Sequence, residues 1–358
     1  MSPCGRGFDP AHPDIHPELR AAMIAAAGLE PKAAAVSIAR ASLRLRELFR
    51  TAEAVVIYPG SAAALREIGL RSAVENRSLA LIGGPGGEAL ADQTEALGKE
   101  VLRVRVHPGR TVEPAQLLRF LAGPEVDSVT LVHAEVGTGT LAPLAQLAAV
   151  TRGRRDLLLF VDASASLGAS PFETDQWGLD FVVAASEGPL GLPTGLALAA
   201  ASPRLLARAR TLSGRGTQLD FVTHHAAAAR GQTLAPVTPA LAAVLELQLQ
   251  RMLDVEGLTA RWSRHEAMRV IVESWATGKG IPLLAVESRR AQALTVLKLG
   301  DHRPASAVAQ ALADEGWYVG AGEGELLRIG HAGDLQPAQV GELLAVLGRV
   351  VEGVKSAK

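Results

Sequence analysis

The stretch Asp156–Ala200, DLLLFVDASASLGASPFETDQWGLDFVVAASEGPLGLPTGLALAA, decides the fold. It contains two short, continuously apolar runs, 157–161 and 181–184, and a third apolar segment that begins at Gly195. Uninterrupted apolar runs of this length are typical of parallel strands that are covered on both faces. Asp162 follows the first run directly, at the end of the strand where open α/β sheets bind their ligands. The stretch therefore predicts an α/β protein with a candidate site near Asp162.

Composition excludes several classes of protein before any motif is considered. A chain of 358 residues suits two domains or one large α/β domain, and a net charge of −1 gives no basic surface for nucleic acid. The one cysteine, Cys4, excludes an internal disulfide framework and favours a reducing compartment. No apolar run reaches the roughly 18 residues of a membrane span, and residues 1–14 lack the apolar core of a signal peptide. We therefore expect a cytoplasmic protein without nucleic-acid or membrane partners.

Two strand-to-helix turns precede the central stretch. The turn PGSAAA, 59–64, follows a strand and opens a helix, where N–H groups and the helix dipole suit a phosphate. Ser61 can serve there as a helix N-cap or contact an anion, and both alternatives stay open. The second turn, GGPGG at 83–87, lacks the spacing of a dinucleotide fingerprint, so we expect a plain turn.

The rest of the chain alternates helical and strand patterns and ends in a smaller α+β region. Strands are predicted at 79–82, 101–106, 128–133, 293–298 and 325–329, and helices at 33–50, 114–122, 143–152, 203–212, 240–256, 304–315 and 337–352.

The central stretch resembles the class V aminotransferases, of the alanine–glyoxylate or serine–pyruvate type, which belong to pyridoxal phosphate fold type I. Their pattern, D-A-V-S-S-L-G-A, then a W/L-G-[IL]-D strand, then S-Q-K-A-L-G-x-P-P-G, corresponds without gaps to 162–168, 177–180 and 186–195. The resemblance runs from about residue 10 to 352. It implies a mostly parallel, seven-stranded sheet in a large α/β domain. The implied divisions are an N-terminal segment at 1–20, the large domain at 21–240 and a small C-terminal domain at 241–358.

The lysine that binds the cofactor in this family corresponds to Gly188. A Schiff-base enzyme requires a lysine at that one place. The chain has only six lysines, none of them in the central stretch: Lys32, Lys99, Lys279, Lys298, Lys355 and Lys358. The resemblance therefore implies a chain without a catalytic lysine and without a covalently bound cofactor.

Other positions that hold the cofactor in the resembled family are also altered. The phosphate turn keeps Ser61, but its G-T pair has become Ala62 and Ala63. The aromatic residue that stacks on the cofactor ring corresponds to Pro85, so ring stacking is absent. The segment HAEVGTG, 133–139, aligns with H-x-E-[ST]-S-T-G but has lost two hydroxyl-bearing positions.

Three further cofactor positions have changed side chains. They are Val136, in the segment 133–139; Ser164, in place of the apolar residue beneath the ring; and Glu187, in place of the residue before the lysine. Glu187 is not expected to act as a base, since neighbouring side chains of an extended segment point to opposite faces. His133 is expected to be a structural histidine and Glu135 a hydrogen-bonded loop acid.

Three positions keep the residue of the resembled family. Asp162 would pair with the cofactor's ring nitrogen, or it could cap the following turn. Arg328, in RIGH at 328–331, would clamp a substrate carboxylate, or it could form a salt bridge. Thr238 would reach the phosphate of the partner subunit, with Thr233 as the second choice, or it could serve as a helix N-cap. No metal site is expected, including at the adjacent histidines 224–225.

Two interpretations of function follow from these residues. In the first, the chain is a non-catalytic homologue: a dimeric scaffold, a regulatory protein, or the silent half of a heterodimer with an active paralogue. In the second, it is a lysine-independent enzyme of aminotransferase or lyase type that holds adducts of pyridoxal or pyridoxamine phosphate non-covalently between Asp162 and Arg328. A third interpretation, with Lys279 or Lys298 supplied to the site, is disfavoured because both lie in the small domain.

Overall fold

A computed structural model describes residues 6–10, 12–213, 215–300 and 303–353. Cys4 lies outside this range. The strands are β1 (Arg6–Asp9), β2 (His12–Pro13), β3 (Val56–Pro59), β4 (Arg77–Ile82), β5 (Glu100–Arg105), β6 (Ser128–Val132), β7 (Ala134–Glu135), β8 (Thr140–Leu141), β9 (Leu158–Asp162), β10 (Phe181–Ala185), β11 (Leu196–Ala201), β12 (Leu294–Lys298), β13 (Trp317–Ala321) and β14 (Leu326–Gly330).

Helices connect and cover these strands. They are α1 (Pro17–Ala26), α2 (Pro31–Phe49), α3 (Ala62–Ala73), α4 (Pro85–Ala96), α5 (Pro114–Phe120), α6 (Leu144–Thr151), α7 (Thr174–Trp177), α8 (Pro203–Thr211), α9 (Phe221–Ala228), α10 (Pro239–Gln250), α11 (Leu258–Gly278), α12 (Ala305–Asp314) and α13 (Pro337–Gly353). Short 3₁₀ turns span Gly188–Leu190 and Glu287–Arg289, and a π-helical segment, Arg251–Glu256, continues α10.

The large sheet has seven strands in the order β3-β11-β10-β9-β6-β4-β5. Neighbouring strands from β10 to β5 are parallel, while β11 runs antiparallel to both β10 and β3. The predicted mostly parallel, seven-stranded α/β sheet is confirmed. The sheet is covered on both faces, because successive residues of β9 alternate between two hydrophobic cores: Leu159 and Val161 pack with α2 and α10, and Leu158 and Phe160 pack with α3 and α8.

A second sheet, in the order β12-β14-β13-β1-β2, builds the smaller region. The sequence did not predict β13, whose exposed Tyr318 and half-buried ends give no continuous apolar signal. The N-terminal strand β1 pairs in parallel with β13, and its Phe8 is buried in the core of the small region. The N-terminal strands thus extend the small sheet, and the backbone of Asp9 and Pro10 lies against Gly330.

The packing of α10 bears on where the two regions meet. α10 packs against α1 and α2, and Leu245, Met252 and Leu258 belong to the core of the large sheet, whereas Met268 belongs to the core of the small one. The division at residue 240 stays a prediction, and we infer that a division near residue 258 describes the packing better.

Candidate active site

Asp162 ends β9 and is buried, with 3% of the residue exposed. Its Oδ2 accepts a hydrogen bond from Nη1 of Arg66 at 2.5 Å, and its Oδ1 accepts from the backbone N–H of Ser164 at 2.8 Å. Gln93 holds the arginine from its other side: Gln93 Oε1 accepts from Arg66 Nε at 3.1 Å, and Gln93 Nε2 donates to the Ala63 carbonyl at 3.2 Å. Both oxygens of the carboxylate therefore have partners within the chain.

Helix α3 brings Arg66 to this position because it lies close to the sheet. Gly69, one turn after Arg66, faces β10, and a Cβ added there would lie 2.4 Å from the ring of Phe181. The close approach carries the arginine side chain over the end of β9. Sequence analysis missed Arg66. In the sequence, Arg66 is a cation next to the apolar helix positions Leu65 and Ile68. That pattern does not predict a contact with Asp162, which lies far away along the chain.

Gly188 follows β10 and opens the 3₁₀ turn with φ +73°, in the left-handed region that side-chain-bearing residues rarely adopt. A Cβ added at this position would lie 3.5 Å from the Ser164 carbonyl oxygen and 3.7 Å from that of Pro10. The space around Gly188 would accept a Cβ, but its backbone conformation is strained for any L-residue.

A buried polar cluster behind the turn fixes Gly188. Arg261 is 1% exposed; its Nη2 donates to the Pro189 carbonyl at 2.8 Å, and its Nη1 donates to Asp334 at 2.9 Å. Gln248 donates to the Leu190 carbonyl at 2.6 Å and to both oxygens of Asp334 at 3.2 Å. The turn is therefore tied to α10, α11 and the small region at once. The resemblance extends to this part of α11: the family's E-G-L-x-x-R-W-x-R-H corresponds to 256–265, where it implies a structural helix.

At the expected phosphate turn, Ser61 serves as the N-cap of α3. Its hydroxyl accepts from the Ala64 N–H at 3.2 Å, and the Gly60 N–H donates to the Gly195 carbonyl at 2.9 Å. Ala62 is buried and Ala63 is half-buried. Of the two alternatives for Ser61, the N-cap bond is present in the structure.

The glycine-rich turn closes around the carboxylate of Glu135, which is 4% exposed. The backbone N–H groups of Gly86, Gly87 and Gly137 donate to it at 3.1, 3.1 and 3.2 Å. Burial raises the pKa of Glu135, and these three donors oppose the rise. A Cβ at Gly84 would lie 2.6 Å from Cγ of Glu135, so that glycine is required by the close approach. Glu135 is the hydrogen-bonded loop acid that the sequence predicted.

The residues at the expected ring position are small or turned toward protein. Pro85 is the exposed first residue of α4, and its ring lies so close to Gly137 that a Cβ there would be 2.5 Å away. Val136 packs against the Leu294 cluster of the small region. The Oγ of Ser164 is buried and has no hydrogen-bond partner. Glu187 is half-buried and accepts from the Ser186 hydroxyl at 3.3 Å.

His133 has a structural environment. Its Nδ1 lies 2.9 Å from the Ser166 hydroxyl, and its ring packs edge-on against Phe172. Burial lowers the pKa of His133 to about 3, so the imidazole is neutral. These contacts agree with the structural role that the sequence predicted.

Arg328 lines a cavity of about 510 Å³ between the two regions. Its Nη2 donates to the Ala321 carbonyl at 2.7 Å, and its Nε is buried without a partner. Pro85, Arg105 and Leu284 also line this cavity, whereas Asp162 and Gly188 do not. Among the described residues, this cavity holds Arg328 and not Asp162, the two residues between which the non-covalent adduct interpretation places its ligand.

Thr238 is exposed and caps α10, with its hydroxyl accepting from the Leu241 N–H at 3.4 Å. This is one of its two predicted roles; the other needs a partner subunit. Within the described ranges, no group of three or more metal-ligating side chains comes together. No helix in the same part of the chain has the length and hydropathy to cross a membrane.

A family model described as aminotransferase class-V matches residues 88–325, about two thirds of the chain. The chain belongs to this family. The serine–glyoxylate aminotransferase of Methylorubrum extorquens is 28% identical over 309 residues, 81% of this chain and 76% of that protein. The pyridoxamine–pyruvate transaminase of Mesorhizobium japonicum is 27% identical over 282 residues, 75% of this chain and 71% of the relative.

Solved structures show the same fold. The crystal structure of an alanine–glyoxylate aminotransferase from Nostoc superposes with a TM-score of 0.91, with 24% identity, covering 98% of this chain and 96% of that chain. The resemblance stated from the motifs is confirmed at the level of family and fold type. Where the lysine position falls is not decided by these comparisons, and Gly188 remains the position that the motif alignment gives.

The residues present do not fit a pyridoxal phosphate that is bound through a Schiff base. The position aligned with the lysine offers no amine, and Arg66 already occupies the outward oxygen of Asp162. The Ser61 hydroxyl caps its own helix, and no aromatic ring stands at Pro85. The hydroxyl of Ser164 is the one polar group of this set that is buried without a partner.

Proposed function

We propose that this class V aminotransferase homologue does not carry out lysine-dependent transamination. It acts instead as a dimeric scaffold, a regulatory protein or the silent half of a heterodimer. The observation that carries the proposal is the pairing of Asp162 with Arg66, next to a glycine at the position aligned with the catalytic lysine. A Schiff-base enzyme needs both an amine there and a carboxylate that can meet the cofactor ring.

The two lysines of the small region that were considered for the site, Lys279 and Lys298, do not supply the missing amine. Nζ of Lys279 pairs with Glu352 at 2.8 Å on the small region, and Lys298 ends β12 in the small sheet. Neither Lys279 nor Lys298 is among the residues around Asp162. The changes at Ala62, Ala63 and Pro85 would remain if a lysine were restored at one position, which favours a lineage that no longer holds the cofactor in the usual way.

Exposed apolar side chains on α2 support the dimer part of the proposal. Val36 and Leu43 are 53% and 70% exposed and lie two turns apart, on the same face of α2. Adjacent exposed apolar side chains are a feature of protein interfaces. Chromatography with light scattering measures the mass of the assembly and so tests whether the partner is a second copy or an active paralogue. A monomer of the pure chain at micromolar concentration would contradict the homodimer and leave the heterodimer as the proposed assembly. The cytoplasmic location stays a prediction.

The experiment that tests the absence of lysine chemistry uses the purified chain and excess pyridoxal phosphate. We expect the spectrum to show no Schiff-base absorption band. After borohydride reduction, peptide mass mapping should find no single lysine that carries the cofactor. Surface lysines react weakly and without fixed stoichiometry, so the diagnostic measure is one equivalent per chain. One equivalent of reduced adduct on one lysine would contradict the proposal, as would amino-group transfer by the pure chain.

A second candidate function is non-covalent binding of a vitamin B6 compound. It is favoured by the orphaned hydroxyl of Ser164 and by a relative that is named for acting on pyridoxamine. Pyridoxamine phosphate at saturation should then raise the Tm by ligand linkage, and Ser164→Ala should reduce the shift. Arg71→Ala, at the more exposed pair with Glu67 on α3, serves as the control and should leave the shift unchanged. No shift in the parent chain would exclude this candidate.

A further inference from the structure

We propose that Arg66 is a built-in replacement for a cationic ligand of Asp162. Its guanidinium fills the cation subsite at the end of β9, and loss of that side chain opens the subsite to a small planar cation. The inference rests on the proposed function, since it explains how Asp162 keeps a cationic partner in a chain that binds no cofactor ring. The ligand class that the opened subsite takes is a guanidinium or a pyridinium.

The geometry is that of a complete ion pair. Nη1 of Arg66 lies 2.5 Å from Oδ2 of Asp162, and the two side chains are 20% and 4% exposed. The other carboxylate oxygen is held by the Ser164 N–H. A charge-assisted pair this short and this sheltered is far stronger than a surface pair, because little solvent screens it.

Arg66 is braced so that its side chain points at Asp162. Gln93 binds its Nε and is itself bound to the Ala63 carbonyl, so α3 and α4 together orient the guanidinium. By contrast Arg71, on the same helix, pairs only with Glu67 four residues earlier, and both side chains are about one-third exposed or more. Arg71 is therefore the matched control on α3.

The local charge explains why a cation is needed at this place. Asp162 is buried close enough to the buried Glu135 for its charge to act on that carboxyl. Two buried carboxylates disfavour each other, and burial of a carboxylate without a counter-ion is costly. In the resembled family the cofactor would supply the cation, and here Arg66 supplies it within the chain.

A double-mutant cycle tests the pairing on the full chain. Arg66→Ala should lower the Tm by on the order of 5 °C or more, because it leaves a buried carboxylate without its partner. Asp162→Asn should lower the Tm in the parent chain but raise it in the Arg66→Ala background, where the amide removes an uncompensated charge. Arg66→Gln, which keeps a donor of similar shape, should show the same change of sign if Arg66→Ala does not fold. Arg71→Ala should change the Tm little.

Ligand binding tests the subsite itself. Methylguanidinium, at a concentration that leaves the Arg71→Ala variant unchanged, should raise the Tm of Arg66→Ala and not that of the parent chain. Pyridoxamine phosphate, titrated by calorimetry, should bind Arg66→Ala at least about tenfold more tightly than the parent, since it need not displace the arginine first. Asp162→Asn added to Arg66→Ala should abolish both effects.

Two results would overturn the inference. One is additivity in the cycle, with Asp162→Asn equally destabilising in both backgrounds. The other is equal binding of pyridoxamine phosphate by the parent and by Arg66→Ala, which would mean that the arginine does not hold the subsite. The double-mutant cycle is measured without any B6 compound. A reduced lysine adduct in the borohydride experiment would therefore contradict the proposed function, but it would not change the result of the cycle.

Discussion

The buried cluster around Asp334 and the one around Asp162 lie on either side of the Gly188 turn, and they differ in how they compare with the resembled family. At Asp334, the motif residues of α11 are retained, and Arg261 and Gln248 bind the turn through backbone carbonyls. At Asp162, the carboxylate is retained, but Ser164, Pro85 and Gly188 differ from the residues that hold the cofactor in the resembled family.

The difference indicates which contacts folding itself requires. The cluster at Asp334 is completed by the chain's own backbone, so its residues stabilise the fold whatever the site does. The resembled family completes the cluster at Asp162 with a cofactor, and its surroundings could change once Arg66 supplied the charge. Predictions that separate these two clusters follow, from the largest expected effect to the smallest.

The largest effect is expected at Arg261. Arg261→Ala removes the cation that binds Glu256, Asp334 and the Pro189 carbonyl. The two acids keep Arg264 and Gln248 as partners but lose their buried counter-ion. Breaking a buried ion pair from one side costs about 3–5 kcal/mol in the free energy of unfolding. Urea denaturation measures the loss, and Arg71→Ala, at an exposed pair, should cost under about 1 kcal/mol. Equal losses in the two variants would show that the Asp334 cluster is not structural.

Acid should lower the free energy of unfolding, because buried histidines in both the large and the small region are neutral in the folded chain. Burial lowers the pKa of His133, beside Asp162, and of His331, in the small region, to about 3, against 6.5 as the ordinary value. Below pH 6.5 the unfolded chain binds protons that the folded chain cannot, so stability falls as the pH falls. Between pH 6.5 and 5, each histidine should cost roughly 2 kcal/mol.

Urea denaturation of single variants assigns this acid loss to its histidine. His133→Asn should reduce the slope of stability against pH between 6 and 4 by up to about 1.4 kcal/mol per unit, the value for one proton. An unchanged slope in His133→Asn would mean that this imidazole is protonated in the folded chain.

The third effect concerns the glycine-rich turn on the Asp162 side. Gly84→Ala should cost about 1–3 kcal/mol, because the added methyl would meet Cγ of Glu135 at 2.6 Å and force the turn from the carboxylate. Gly341→Ala, in the exposed interior of α13 with no atom within 4 Å, is the control and should stabilise by about 0.5–1 kcal/mol. A neutral Gly84→Ala would show that the turn can move away from Glu135.

The same two clusters show how far the sequence could carry the argument. Apolar runs and turn residues predicted the strands of the large sheet, and the motifs predicted the family, because both depend on neighbours along the chain. Strand β13 and the pairing of β1 with it were missed, since half-exposed residues give no clear alternation. The contact of Arg66 with Asp162 depends on how closely α3 approaches the sheet at Gly69, and no local pattern encodes that distance.

The smallest effect is expected at Ser61, on the turn that resembles a phosphate site. Ser61→Ala removes the N-cap bond to Ala64 and should cost about 1 kcal/mol, as Thr238→Ala should at the start of α10. If Ser61 serves only as a cap, inorganic phosphate will raise the Tm of neither the parent nor the Ser61→Ala variant. If it also binds an anion, phosphate will stabilise the parent and not the variant. That outcome would mean that the Asp162 side still binds an anion, as a cofactor site does. The cation subsite that Arg66 fills would then be the part of the site that has been replaced by the chain itself.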